Sequence, residues 1–153
     1  MEGPFALKGS HRTRFDDLVR SLGASAEACR RLAVSGAPAP LARALRELAR
    51  VRRGQLEELL PWAGVHASRA SAGVHAAILG SWPAMARAMK DGLLGPLLDA
   101  LEPAERSIEA LHRELAQATA GTPLSPILTR HLDQARPAVE GLRAIRAALP
   151  EAA

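Results

Sequence analysis

The chain has 153 residues, 48% of them hydrophobic and 24% charged, the balance of one globular domain and not of a disordered segment. Aromatic residues make up 3% and Tyr is absent, so a core has to be assembled from Leu, Ala, Val and Ile, which disfavours a β-sandwich and suits close helix packing. The net charge of +4 rests almost wholly on Arg; the single cysteine, Cys29, excludes a disulfide framework or a thiolate metal site within one chain; and no stretch approaches the ~20 apolar residues of a membrane span.

Residues 1–12, with Gly3, Pro4 and Gly9, read as a flexible tail, and residues 13–149 as one helical domain. The tail lacks the charged and apolar runs of a secretion signal, so a cytoplasmic location is expected. Thr13, followed three residues later by Asp16, resembles a capping box and marks the start of a first helix. Its apolar seam is Phe15, Leu18, Val19, Leu22, Ala26, Cys29, Leu32 and Ala33, and it stops near Gly36, before Pro38 and Pro40.

A second helix starts at Pro40 or Leu41, with a seam of Leu41, Leu45, Leu48, Ala49, Arg52, Leu56 and Leu59, and Pro61 is expected to end it. The short link makes the two helices an antiparallel hairpin. A shorter apolar segment follows over 71–89, with Val74, Ala77, Ile78, Trp82, Met85 and Met89, interrupted by Pro83. It reads as a crossover that carries the chain back along the bundle. A third helix is expected over 95–119, through Leu97, Leu101, Glu105, Ile108, His112 and Leu115. After the Gly121–Thr122–Pro123 break comes a fourth over 125–149, through Leu128, His131, Ala135, Leu142 and Ile145, with a bend at Pro137. The expected fold is therefore all-α: a ferritin-like four-helix bundle of two antiparallel hairpins joined by a crossover containing a shorter helix.

Di-metal bundles draw a Glu from each of two helices and a Glu-x-x-His from each of the others. One such match exists, Glu109 to His112 in the third helix, and neither the second nor the fourth helix carries another. Glu105 falls on the inward side of the third helix, and Arg52, with Gln55 nearby, on the seam of the second. A buried carboxylate is costly unless paired, so Arg52 and Glu105 are expected to form an internal ion pair where a metal cluster would otherwise sit. His131 is placed to face His112. Cys29 reads as a buried, inert thiol. On the second helix Arg43, Arg46, Arg50 and Arg53 recur at spacings of three and four and form one basic ridge. No Gly-rich phosphate loop, nucleophile elbow or dinucleotide fingerprint is present.

The segments Phe15–Asp16–Asp17–Leu18–Val19, Ser71–Ala72–Gly73–Val74–His75 and Glu102–Pro103–Ala104–Glu105 resemble a bacterial family of ferritin-like four-helix-bundle proteins of unassigned biochemical role. The resemblance spans residues 13–148. It implies that Glu102 and Glu105 match two acids at the start of the third helix of that family. Ala26 stands close to where the family has a Glu, and Val139 close to where it has a His. The ligands the family would supply are thus largely missing here.

Three functions follow as expectations. The first is a non-enzymatic bundle, without cofactor, that acts by binding another protein or itself, a dimer forming through Val74, Ile78, Trp82, Met85 and Met89. The second is a degenerate iron or other divalent-metal protein using Glu105, Glu109, His112 and His131. The third is a binder of anionic surfaces through Arg43, Arg46, Arg50 and Arg53; a nucleic acid is disfavoured because the basic residues do not cluster beyond that ridge.

Overall fold

The computed structural model describes residue 7 and residues 9–63 and 85–149. The described residues contain no strand, and four long helices dominate them: α1 (Gly9–Ala33), α2 (Ala39–Ala63), α3 (Leu94–Ala118) and α4 (Leu124–Ala148). A short helical stretch over 85–90 precedes α3. No helix among the described residues is long and apolar enough to cross a membrane.

Each long helix carries buried residues at alternating spacings of three and four. In α1 these are Phe15, Leu18, Leu22, Ser25, Cys29 and Leu32. In α2 they are Leu41, Leu45, Leu48, Arg52, Gln55 and Leu59. α3 continues the pattern with Leu98, Leu101, Glu105, Ile108, His112 and Leu115, and α4 with Leu124, Leu128, His131, Ala135, Ala138 and Leu142. A repeat of that period keeps one narrow stripe facing inward along a gently supercoiled helix. α1 packs on α2 and α3, and α4 packs on the same two, so the helices close into a ring.

Two apolar clusters fix the helix directions. One joins Leu32, Leu41, Leu45, Leu97 and Leu142; the other joins Phe15, Leu22, Leu59, Leu115 and Leu128. The first therefore gathers the end of α1, the beginnings of α2 and α3, and the end of α4. Every neighbouring pair in the ring is antiparallel, while the diagonal pairs α1/α4 and α2/α3 run parallel. Ala63 and Met85 lie at opposite ends of the bundle, in different clusters.

The helix limits differ from the sequence expectation at two places. α1 begins at Gly9, not Thr13, and the Thr13 hydroxyl donates back to the Gly9 carbonyl at 3.5 Å instead of capping the helix. Pro61 does not stop α2, which runs on to Ala63. Proline removes one helical hydrogen bond, but Ala63 is fully buried and its carbonyl accepts from the Arg12 guanidinium, so tertiary contacts hold the last turn. α4 is one continuous helix across Pro137. The α1–α2 link turns at Gly36 (φ 90°) and the α3–α4 link at Gly121 (φ 83°), left-handed backbone that a side chain would strain.

Most of the expected crossover, including Val74, Ala77, Ile78, Trp82 and Pro83, lies outside the described residues. Met85 and Met89 are buried among the leucines at the end where α3 begins. They are thus core residues, and not surface available to the expected dimer.

Candidate functional site

The inward stripes change character halfway along the bundle. Between the two apolar clusters lie Ser25 from α1, Arg52 and Gln55 from α2, Glu105 and His112 from α3, and His131 from α4, each at most 3% exposed. All four helices contribute to this layer. Ser21 and Thr119 are also buried, but their hydroxyls return to carbonyls of their own helices.

The layer is connected. One terminal nitrogen of the Arg52 guanidinium donates to Glu105 Oε2 across the diagonal of the bundle. The other donates to Gln55 Oε1 at 2.9 Å. Ser25 Oγ donates to Glu105 Oε1 at 2.8 Å, so both carboxylate oxygens are engaged. Gln55 Nε2 in turn donates to the His131 carbonyl at 2.9 Å. Removing two charges from water is expensive, and these additional hydrogen bonds are what make a buried pair tolerable.

The two histidines complete the layer on the α3/α4 side. Their rings meet edge to face, with centroids 5.6 Å apart. His112 Nδ1 lies 3.0 Å from the Ile108 carbonyl, which can only accept, so Nδ1 carries the hydrogen and Nε2 keeps a bare lone pair. His131 Nε2 lies 3.3 Å from a Glu58 carboxylate oxygen, and by the same reasoning its Nδ1 is bare. His112 Nε2, His131 Nδ1 and Arg52 Nε are buried with no partner among the described residues. Burial, reinforced by the nearby Arg52 charge, pulls His112 down to about 3 from its ordinary 6.5. Burial also lowers His131, against the opposing pull of Glu58. Both rings are therefore neutral near pH 7. Cys29 is pushed up to about 12, first by burial and then by the charge of Glu105, and stays a protonated thiol without nucleophilic character.

A cavity of about 300 Å³ opens between α3 and α4, and Glu105, Glu109, His112 and His131 all line it, together with Arg52. This brings the four expected metal ligands to one place without making them a metal centre. Glu109 is held by Arg113 at 2.8 Å, and Glu105 is spent on Arg52 and Ser25. Among the described residues, no group of three or more His, Cys, Asp or Glu side chains is arranged to hold a metal ion. A di-metal cluster does not fit this donor set, because a guanidinium shares the space and its charge opposes a cation.

The basic ridge lies on the outside. Arg43, Arg46, Arg50 and Arg53 are all exposed, and they stand between two grooves. Arg43, Arg46 and Arg50 border a groove of about 860 Å³ between α2 and α4. Arg46, Arg50 and Arg53 border one of about 340 Å³ between α1 and α2. Arg50 is clasped by Glu47 at 3.0 Å.

Two features escaped the sequence reading. Ser25, and not Ala26, faces the centre from α1; the alternating spacing Leu22, Ser25, Cys29 carried that signal. The larger groove was not foreseen, although Gly54 and Gly141 stand inside helices where glycine is disfavoured. Comparison with family models, curated proteins and solved structures gives no match, so the geometry alone carries the functional reading.

Proposed function

We propose that this chain is a ferritin-like helical bundle that works as a protein-binding module and performs no chemistry at its centre. The ring of antiparallel neighbours, with parallel diagonals and with Ala63 and Met85 at opposite ends of the bundle, supports the ferritin-like arrangement. The observation that carries the function is Arg52. Its guanidinium lies at mid-height, buried, and takes the carboxylate of Glu105 that a bundle metal centre would use. A fixed internal cation does for the fold what a bound ion does elsewhere: it ties the helices of one diagonal together and raises the cost of admitting a second cation.

A second reading rests on the histidine pair. His112 and His131 each have one nitrogen anchored and one bare, the arrangement in which imidazoles bind a transition metal, and both line the same cavity. On that reading the bundle is a degenerate iron or other divalent-metal protein.

One experiment separates the two. The chain is purified without chelators, its iron, manganese, zinc and copper contents are measured, and aerobic oxidation of added Fe(II) is followed. Metal well below one ion per chain, with oxidation at the rate of buffer, is expected for the binding module. One ion per chain, lost in His112→Ala and His131→Ala, would overturn it in favour of the metal protein.

A further inference from the structure

Small residues line the floor of the α2/α4 groove. Ala44 and Gly54 from α2 face Ala138 and Gly141 from α4. Small side chains leave no ridge to fill the space between two antiparallel helices, so the groove follows directly from the sequence. It runs from Pro40 to Glu58 along α2, room for roughly 18 residues of a third helix, or ~27 Å.

The two glycines are the unusual part. Glycine inside a helix is destabilising relative to alanine, so it needs a reason. A Cβ built on Gly54 or on Gly141 would meet nothing within 4 Å. By contrast, the space beside Gly23 of α1 is already taken up by Leu56, 3.7 Å from where a Cβ would stand. Packing among the described residues does not explain Gly54 and Gly141. Close approach of a backbone from outside does, and such an approach needs small residues on the receiving surface.

Charge names the visitor. Among the described residues Arg43 and Arg46 have no carboxylate partner, whereas the acids at the rim are taken: Glu47 holds Arg50, and Glu58 holds Arg130. The uncompensated charge on this rim is positive. A second copy docked groove to groove would set one hollow against another and leave the space unfilled, so self-association through this face is disfavoured.

Resting on the binding-module reading, we infer that the α2/α4 groove receives an amphipathic helix of a partner protein whose apolar stripe contacts Gly54 and Gly141 and whose acidic flank pairs with Arg43 and Arg46.

The test uses the full chain and two synthetic amphipathic helices of about 18 residues. They share one Ala/Leu stripe and differ only in Glu or Lys flanks; binding is followed by fluorescence anisotropy. The Glu peptide is expected to bind, and to weaken from low to physiological salt. Arg43→Glu with Arg46→Glu is expected to weaken it at least about tenfold, the loss of two charge-assisted contacts. Gly54→Leu and Gly141→Leu are expected to do the same while thermal unfolding is unchanged or raised, since each new side chain enters open space. Arg53→Glu borders only the α1/α2 groove and is expected to change affinity about twofold or less.

The inference is overturned by no binding of the Glu peptide, by equal binding of the Lys peptide, or by affinity indifferent to the two leucines. Equal affinity for a DNA duplex or for polyglutamate would reassign the ridge to a bare electrostatic surface and overturn it as well. So would a dimer in analytical ultracentrifugation that Gly141→Leu dissociates, which would make the occupant a second copy. The metal and oxidation assays stay independent: a bound ion there would sink the binding-module reading, while a failed peptide titration without metal would sink this inference alone.

Discussion

At the end where α1 begins, Phe15, Leu18, Leu22, Leu115 and Leu128 pack as an apolar cluster. Halfway along the same four helices, Ser25, Arg52, Gln55, Glu105, His112 and His131 form a layer in which charge and hydrogen bonding hold the groups together. Both regions use the same inward heptad positions. They differ in how their energies combine. Hydrocarbon contacts are non-directional and nearly independent between distant sites. The polar layer is coupled, because Ser25, Arg52, Gln55 and Glu105 satisfy one another in a chain of hydrogen bonds, and each would be costly alone. The end clusters bury hydrocarbon, and the middle layer joins the α2/α3 diagonal through Arg52 and Glu105.

The sharpest way to break this contrast is to remove one member of the layer. Glu105→Leu leaves the Arg52 guanidinium buried without a carboxylate and is expected to cost about 3–5 kcal/mol in chemical denaturation. The double variant Arg52→Met with Glu105→Leu is expected to cost less than the single one, because it removes both charges together. Leu115→Ala in the end cluster is expected to cost about 2–5 kcal/mol and to add to Leu45→Ala in the opposite cluster. If the double variant lost the sum of its two singles, the layer would be no more coupled than the ends.

Acid is a gentler probe of the same layer. His112 is held near 3 when folded, against an ordinary 6.5, and His131 is also lowered. A depressed histidine binds fewer protons folded than unfolded between those values. Stability linked to His112 is therefore fully present above about pH 6.5 and falls as pH drops from there toward 3, by up to about 1.4 kcal/mol per pH unit, and the lowered His131 acts in the same direction. Denaturation midpoints measured across this window are expected to flatten in His112→Leu, which removes one titrating ring. A slope unchanged by that substitution would remove His112 from the account. The end clusters contain no titratable side chain other than Cys29, whose thiol stays protonated throughout this window.

How far the sequence foretold this can be traced residue by residue. The four stripes were legible because leucine repeats at heptad spacing, and Arg52 and Glu105 stood out as charges on those stripes. The helix ends were less legible. Pro61 reads as a stop by local chemistry, yet the burial of Ala63 and the Arg12 contact override it. Ser25 was missed because serine beside alanine gives no hydrophobic signal, and only strict periodicity separates it from Ala26. The groove was hidden for another reason. Gly54 and Gly141 lie far apart in the chain, and only the antiparallel packing of α2 on α4 brings their faces to one channel.

Those glycines give the smallest effect and the finest test of the comparison. Both lie in helix interiors, facing open space where a Cβ meets nothing. Gly54→Ala and Gly141→Ala are each expected to raise stability by about 0.5–1 kcal/mol through helix propensity alone. With each added methyl in open space, the two are expected to add, and to add again to Leu115→Ala. A shortfall in the sum would mean that the α2/α4 surface is coupled to the centre, with Gln55 as the natural link, since it borders the groove and holds both Arg52 and the His131 carbonyl. Full additivity would instead make the groove a surface separate from the layer beneath it. Retaining glycine at two helical sites where alanine is more stable is then a concession to function. A series of glycine, alanine and leucine at position 141 exposes that concession: stability rises at alanine while affinity for an acidic helix falls at each step.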